Sequence, residues 1–269
     1  MISEPVTAKS EHPNRRLRRS ITSVATAATL CGCAIIGAAS APADAPPAVC
    51  HLFEPTAEYV EHVITMQLEK VEHRLRIPKV YFEDPWDWVD GERHTSQLIR
   101  VTVDDFVPVY RPMTATLNKM GRRDGYFRFL IGDHVEFDDL LEIKFRYAAP
   151  SVDSAATDAC KIESDFGLTA LLPADGAIHR DLYIGQTDRA ESPSILVCDK
   201  PEHYPFPQCT HNVRLHGMDV IVSYDRQLLP DWRDLEAKVA DFIGCAVENL
   251  LVQERSNDGQ NSPYSNSVR

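Results

Sequence analysis

From position 55 onward the apolar residues recur with two different periods. Val60, Val63, Ile64, Leu68, Val71 and Leu75 fall three or four residues apart, between Pro55 and Pro78. That spacing predicts one amphipathic helix over Pro55 to Ile77. The next segments alternate or are β-branched and predict strands at Val80–Phe82, Leu98–Val103, Phe106–Tyr110, Tyr126–Ile131 and Leu141–Tyr147. The last has the cleanest alternation, with Leu141, Ile143, Phe145 and Tyr147 against Glu142, Lys144 and Arg146. A strand there buries one face and wets the other. The dipeptides Asp90-Gly91 and Asp124-Gly125 mark turns, and Gly121 to Gly125 reads as a hairpin loop.

Around Pro150 to Asp165 the periodicity lapses into Ser, Asp, Ala and Thr, which suggests a connection between two lobes. Further strands are predicted at Leu168–Leu172, Leu182–Ile184, Ile195–Val197, Val213–His216 and Val220–Tyr224, the last two joined about Gly217-Met218. Behind Pro230 and Asp231, a stripe of Trp232, Leu235, Val239, Phe242, Ile243, Ala246 and Leu250 predicts a long amphipathic helix that must bury itself on a sheet. The expected class is α+β, an antiparallel-rich sheet or sheets packed by an N-terminal helix and a long C-terminal one. Residues 46–150 form a helix plus β-rich lobe, 151–253 a β-rich lobe ending in the helix, and 254–269 a polar, disordered tail.

The first 45 residues have another character. Arg15, Arg16, Arg18 and Arg19 precede an uncharged, Ala-rich stretch from Ile21 to Ala43, the positive-then-apolar layout of an export signal or membrane anchor. The tetrad Leu30-Cys31-Gly32-Cys33 resembles the lipobox of bacterial lipoproteins, in which the final cysteine is lipidated. Cleaved, anchored or lipidated, the chain beyond about Pro46 is expected outside the cytoplasm, in the periplasm or tethered to the membrane. Membrane contact is expected only through this segment.

Export changes the reading of the cysteines. Cys50, Cys160, Cys198, Cys209 and Cys245 follow the segment, an odd number, so at least one stays unpaired. Cys198 and Cys209 flank a loop with Pro201, Pro205 and Pro207, and joining them gains on the order of 3 kcal/mol in the chain-entropy model. A Cys160–Cys245 bridge is the second candidate, with Cys50 the spare.

With 28 Lys and Arg against 40 Asp and Glu, the net charge of −12 argues against a surface that tracks nucleic-acid phosphates. The standard catalytic and nucleotide-binding signatures are missing from the sequence. Three weaker groupings remain. On a strand, His134, Glu136 and Asp138 would share one face and offer an imidazole and two carboxylates to a divalent metal; the plainer meaning is an exposed polar face. His203, His211 and His216 gather around the proline loop and could titrate together near pH 6. Trp86 and Trp88, beside carboxylates, suit a recognition patch, as do Tyr204 and Phe206 in the proline loop. The candidate binding residues are therefore Trp86, Trp88, His203, Tyr204, Phe206 and His211.

These features point to an exported, non-enzymatic protein that needs no cofactor. It would bind an unknown protein or envelope component through its acidic surface and crosslinked loop, as an inhibitor or immunity protein does. The alternatives are a metal-dependent hydrolase outside the cytoplasm and a structural component of the envelope.

Overall fold

A computed structural model describes residues 50–260, except 51, 55, 68–69, 133–134 and 175–177. The export segment, the lipobox-like tetrad, His134 and residues 261–269 lie outside the described residues. The segment expected to open the domain as a helix is instead a hairpin, β1 (Tyr59–Met66) and β2 (Val71–Pro78), paired antiparallel from Tyr59↔Pro78 to Met66↔Val71. Val60, His62, Ile64 and Met66 alternate into the core, so period two wins over the helical spacing of the same residues. Lys70, at φ 57°, makes the left-handed turn between the strands. A short β3 (Glu92–His94) adds in parallel to β1 and completes a three-stranded sheet.

The second sheet has eight antiparallel strands in the order β4-β5-β11-β10-β9-β8-β7-β6. They are β4 (Ser96–Thr102), β5 (Tyr126–Gly132), β6 (Cys160–Glu163), β7 (Thr169–Leu172), β8 (Arg180–Gly185), β9 (Ser194–Asp199), β10 (Gln208–Leu215) and β11 (Met218–Asp225). The strands at 98–103 and 126–131, and those predicted after residue 168, correspond to β4, β5 and β7–β11. The sheet draws β4 and β5 from before residue 150 and the other six strands from after it, so the irregular stretch near Pro150 connects parts of one sheet. The described residues fall in one compact unit.

Among the described residues three α-helices complete the α+β fold: α1 (Arg111–Lys119), α2 (Phe137–Ala148) and α3 (Trp232–Gln260). α2 occupies the segment with the cleanest strand alternation. Phe145 and Ala148 are fully buried, with Phe137 and Leu141 packed against the same cluster, whereas Ile143 and Tyr147 are 55% and 54% exposed. The buried set therefore follows the helical period, and the alternation was a coincidence of two exposed apolar residues. Asp138 and Asp139 in the first turn oppose the positive end of the helix dipole, and Glu142 pairs with Arg146 at 2.7 Å. Residues 79–81 form a 3₁₀ turn and 106–110 an irregular loop whose one ladder contact is Val101↔Pro108.

α3 is the predicted C-terminal helix, and Trp232, Leu235, Val239, Phe242, Ile243 and Ala246 are buried as expected. It continues through 254–260, a stretch expected as tail. One main core joins α3 to the hairpin and to the inner face of the large sheet. Phe242 is central to it, with ring centroids 5.1 Å from Phe53, 4.9 Å from Tyr81 and 5.3 Å from Phe129. A second, smaller core lies on the opposite, outer face, where α2 covers Leu171, Leu182, Ile195 and Val197.

Cys198–Cys209 is formed across β9 and β10, whose register places the two residues opposite each other. The second bridge is Cys50–Cys245, which corrects the expected Cys160–Cys245 pairing; Cys160 is the free thiol, exposed on β6. Residue 50 precedes the hairpin that packs on α3, so the core brings Cys50 to the helix while β6 lies at the far edge of the sheet. Two disulfides are the chemistry of an oxidising compartment, which supports export.

Candidate functional site

α2 packs on the outer face at its β8–β9 side, and two depressions lie beside it on the same face. Pleating fixes which side chains it carries. The register aligns Leu98, Leu130, Ile221, Asn212 and Ile195 in one row across β4, β5, β11, β10 and β9. It aligns Arg100, Arg128, Ser223, Thr210 and Val197 in the next. Each row carries a depression of its own.

Beside the first turn of α2, a cleft of about 140 Å³ opens between Leu130, Ile221 and Ile195 on the sheet and Val135, Phe137 and Leu140 above it. Two of the polar side chains at its edge, Asn212 and Asp219, are engaged within the protein. Asn212 Nδ2 donates to the Ile195 carbonyl at 3.2 Å, and Asp219 accepts from Arg214 Nε and from the Val135 amide, both at 3.1 Å. The interior of the cleft therefore offers mostly hydrocarbon. An apolar cavity of about 150 Å³ takes a benzene ring, so this one fits a single large apolar side chain.

Along the second row, nearer α1, lies a basin of about 230 Å³ whose lining includes Arg100, Arg111, Arg123 and Arg128. Glu83 pairs with Arg100 at 3.0 Å and with Arg111 at 3.3 Å, and Asp84 pairs with Arg111 at 3.2 Å. Arg123 lies over the ring of Phe206, 3.5 Å from its centroid. Arg128 has no ion-pair partner among the described residues. The basin went undetected in the sequence because its arginines are scattered and the net charge is negative. Arg100 between the apolar Ile99 and Val101, and Arg128 between Phe127 and Phe129, were the available signal: one arginine turned away from the core on each of two neighbouring strands.

The proposed recognition residues divide. Trp86 and Trp88 lie on a 3₁₀ turn, Pro85–Trp88, and are 83% and 44% exposed. That turn is held from inside by His62, whose Nε2 donates to the Asp87 carbonyl at 2.6 Å. Burial lowers the His62 pKa, with a smaller push from neighbouring His94 in the same direction, against the raising effect of its bond to Asp87. His203 is exposed, Tyr204 stacks with Arg180 at 4.9 Å, and Phe206 joins the basin rim through Arg123.

His211 is a correction: it is 0% exposed on the inner face, its Nε2 2.9 Å from Oε2 of the equally buried Glu236. Ser194 Oγ donates to the same carboxylate at 2.7 Å, and the Thr187 hydroxyl donates to its other oxygen. Burial pushes the Glu236 pKa up, but these bonds and the charge of His211 outweigh it and hold the carboxyl below its ordinary value. His216 is bound to the Ala240 carbonyl at 3.1 Å, so the three histidines share no common surface. Of the metal grouping, Glu136 precedes α2 and Asp138 lies in its first turn, so the strand face that would have aligned them with His134 does not exist. Among the described residues no three His, Cys, Asp or Glu side chains converge on a metal position.

No family model matches the chain, and no curated protein matches it. Among solved structures it is similar to an immunity protein of the Stenotrophomonas maltophilia type IV secretion system. The two are 15% identical over 70% of this chain and 94% of that one, at a TM-score of 0.49. It is also similar to the Neisseria meningitidis iron-regulated outer membrane lipoprotein FrpD, 13% identical over 71% of this chain and 92% of that one, at a TM-score of 0.42.

Proposed function

We propose that the chain is an exported protein-binding module, inhibitor- or immunity-like, that seats an apolar side chain of its partner in the cleft between α2 and the outer sheet face. The observation that carries this reading is the cleft itself: a mostly hydrocarbon lining, Asn212 and Asp219 at its edge already bonded, and the size of one side chain. Anchor pockets of this kind concentrate binding energy in a few residues. The partner contacts the basic outer face, not the acidic remainder of the surface, so it need not be basic.

Photocrosslinking tests the proposal in the native envelope. A photoreactive residue at Leu140, on the cleft wall, should give one discrete adduct, and one at Ile162, exposed on β6, should give none. Ile221→Arg, which fills the cleft with a charged chain, should abolish the Leu140 adduct without lowering the melting temperature by more than a few degrees. Equal adducts from both positions, or an adduct that survives Ile221→Arg, would show that the cleft is not the docking site.

A further inference from the structure

The arginine basin has a feature that folding does not explain. Arg100 and Arg128 stand directly opposite each other on β4 and β5, where like charges repel. Arg111, from the first turn of α1, and Arg123, from the 3₁₀ turn before β5, bring two more guanidiniums to the same space. The nearby carboxylates are Glu83, Asp84 and the lining residue Asp225, so one positive charge is left in excess. Asp225 is itself nearly buried, with Oδ1 accepting from the Gln227 amide at 3.0 Å. On a chain of net charge −12, a positive concavity with an unpaired arginine on its floor is a local cost that a bound anion removes.

The donors left over define that anion. A guanidinium carries five N–H groups, and the pairs with Glu83 and Asp84 use few of those on Arg100 and Arg111. Stacking on Phe206 occupies the face of Arg123 and leaves its N–H edge available. The Tyr126 hydroxyl donates to Asn118 Oδ1 at 3.1 Å, which orients the amide so that its NH₂ remains a donor. These groups come from three separate elements around one space: the sheet, α1 and the turn that precedes β5. A planar carboxylate is satisfied by one guanidinium fork, whereas a tetrahedral oxyanion can accept from several directions at once.

We propose that the basin binds a phosphomonoester dianion, presented either by a soluble metabolite or by a lipid headgroup. The volume exceeds that of the phosphoryl group and leaves room for the first atoms of what carries it. This site is separate from the apolar cleft and stands whether or not the cleft holds a protein partner.

Calorimetric titration of the full chain at low salt, with glycerol 3-phosphate, sulfate and acetate as probes, tests it. Glycerol 3-phosphate should bind more tightly than acetate, and Arg128→Ala should weaken it by roughly tenfold to a hundredfold, the effect of losing one charged hydrogen-bonding group. Because Arg128 is exposed and unpaired, the same variant should be at least as stable as the parent. A merely structural arginine would not combine these two outcomes. Lys161→Ala, on distant β6, should leave the affinity unchanged. Phosphatidylcholine vesicles with and without phosphatidic acid identify the source: capture that needs phosphatidic acid and is lost in Arg128→Ala supports a lipid headgroup, and binding of the soluble probe alone supports a metabolite. No binding of glycerol 3-phosphate or of phosphatidic acid vesicles, acetate as tight as the phosphoester, or an unchanged affinity in Arg128→Ala would overturn the proposal. The Ile221→Arg variant should retain phosphoester binding, which separates failure of this site from failure of the cleft.

Discussion

Replacing Glu236 by Gln removes one charge from the centre of the molecule and almost no volume. In the parent, the carboxylate is fully buried, 2.9 Å from His211 and 2.7 Å from the Ser194 hydroxyl, with Thr187 on its other oxygen. With His211 protonated the two form a buried ion pair, and removing one member of such a pair strands the other at a cost of about 3–5 kcal/mol. The bonds from Ser194 and Thr187 also fall from charge-assisted to neutral strength, a smaller loss of about 1 kcal/mol each. The amide recovers part of this by donating and accepting in the same space, so about 3–5 kcal/mol is expected overall, a large share of the roughly 5–15 kcal/mol that holds a typical protein folded. Urea unfolding at neutral pH measures it, with an unchanged dependence on denaturant as the check that only stability moved.

The acid limb gives a second readout. A carboxyl whose folded pKa lies below its unfolded value of 4.5 contributes stability that is present above that value and disappears as the pH falls through the folded pKa. Glu236→Gln should therefore flatten the loss of stability below about pH 4.5. A variant within 1 kcal/mol of the parent, or one with the same acid slope, would refute a stabilising charge at this position.

Two further perturbations test other parts of the fold. A β-carbon at Gly185 would lie 2.5 Å from Cη2 of Trp232, so Gly185→Ala should cost about 1–3 kcal/mol and lower the melting temperature by several degrees; no change would show that α3 does not seat on β8 as described. The Cys50–Cys245 bridge spans 195 residues and Cys198–Cys209 spans 11, so replacing the first pair by Ser should destabilise by about 2.5 kcal/mol more than replacing the second in the chain-entropy model; equal losses, compared by urea unfolding, would reject that account.

What the sequence revealed and what it hid follow from how each residue is buried. α3 was legible because six residues of one stripe are buried at helical spacing, and β9 to β11 because turn residues and proline bracket short apolar runs. The hairpin and α2 exchanged appearances. In β1 and β2 the apolar residues also fit a helix, and in α2 two exposed residues, Ile143 and Tyr147, completed a false alternation. α1 has no fully buried residue, so no apolar stripe announced it. The site was less legible than the fold. Trp86, Trp88 and Phe206 are exposed, whereas His211 belongs to the interior, and the cleft and basin exist only once β4, β5, β10 and β11 are placed side by side.

That juxtaposition divides labour between the two faces of one sheet. The inner face carries the stability: its strands bury against α3, and Glu236 ties the helix to β9 and β10 through Ser194 and His211. The outer faces of those same two strands supply Ile195 and Asn212 to the cleft. A site built on strands pinned from behind needs no rearrangement to bind, which lowers the ordering cost that binding otherwise carries. The charge distribution is consistent with this division. A chain of net charge −12 repels an anion at a distance, but in about 0.1 M salt that repulsion is screened beyond about 10 Å. Within that distance the arginines of the basin would dominate, so the proposed anion site is compatible with the net negative charge of the chain.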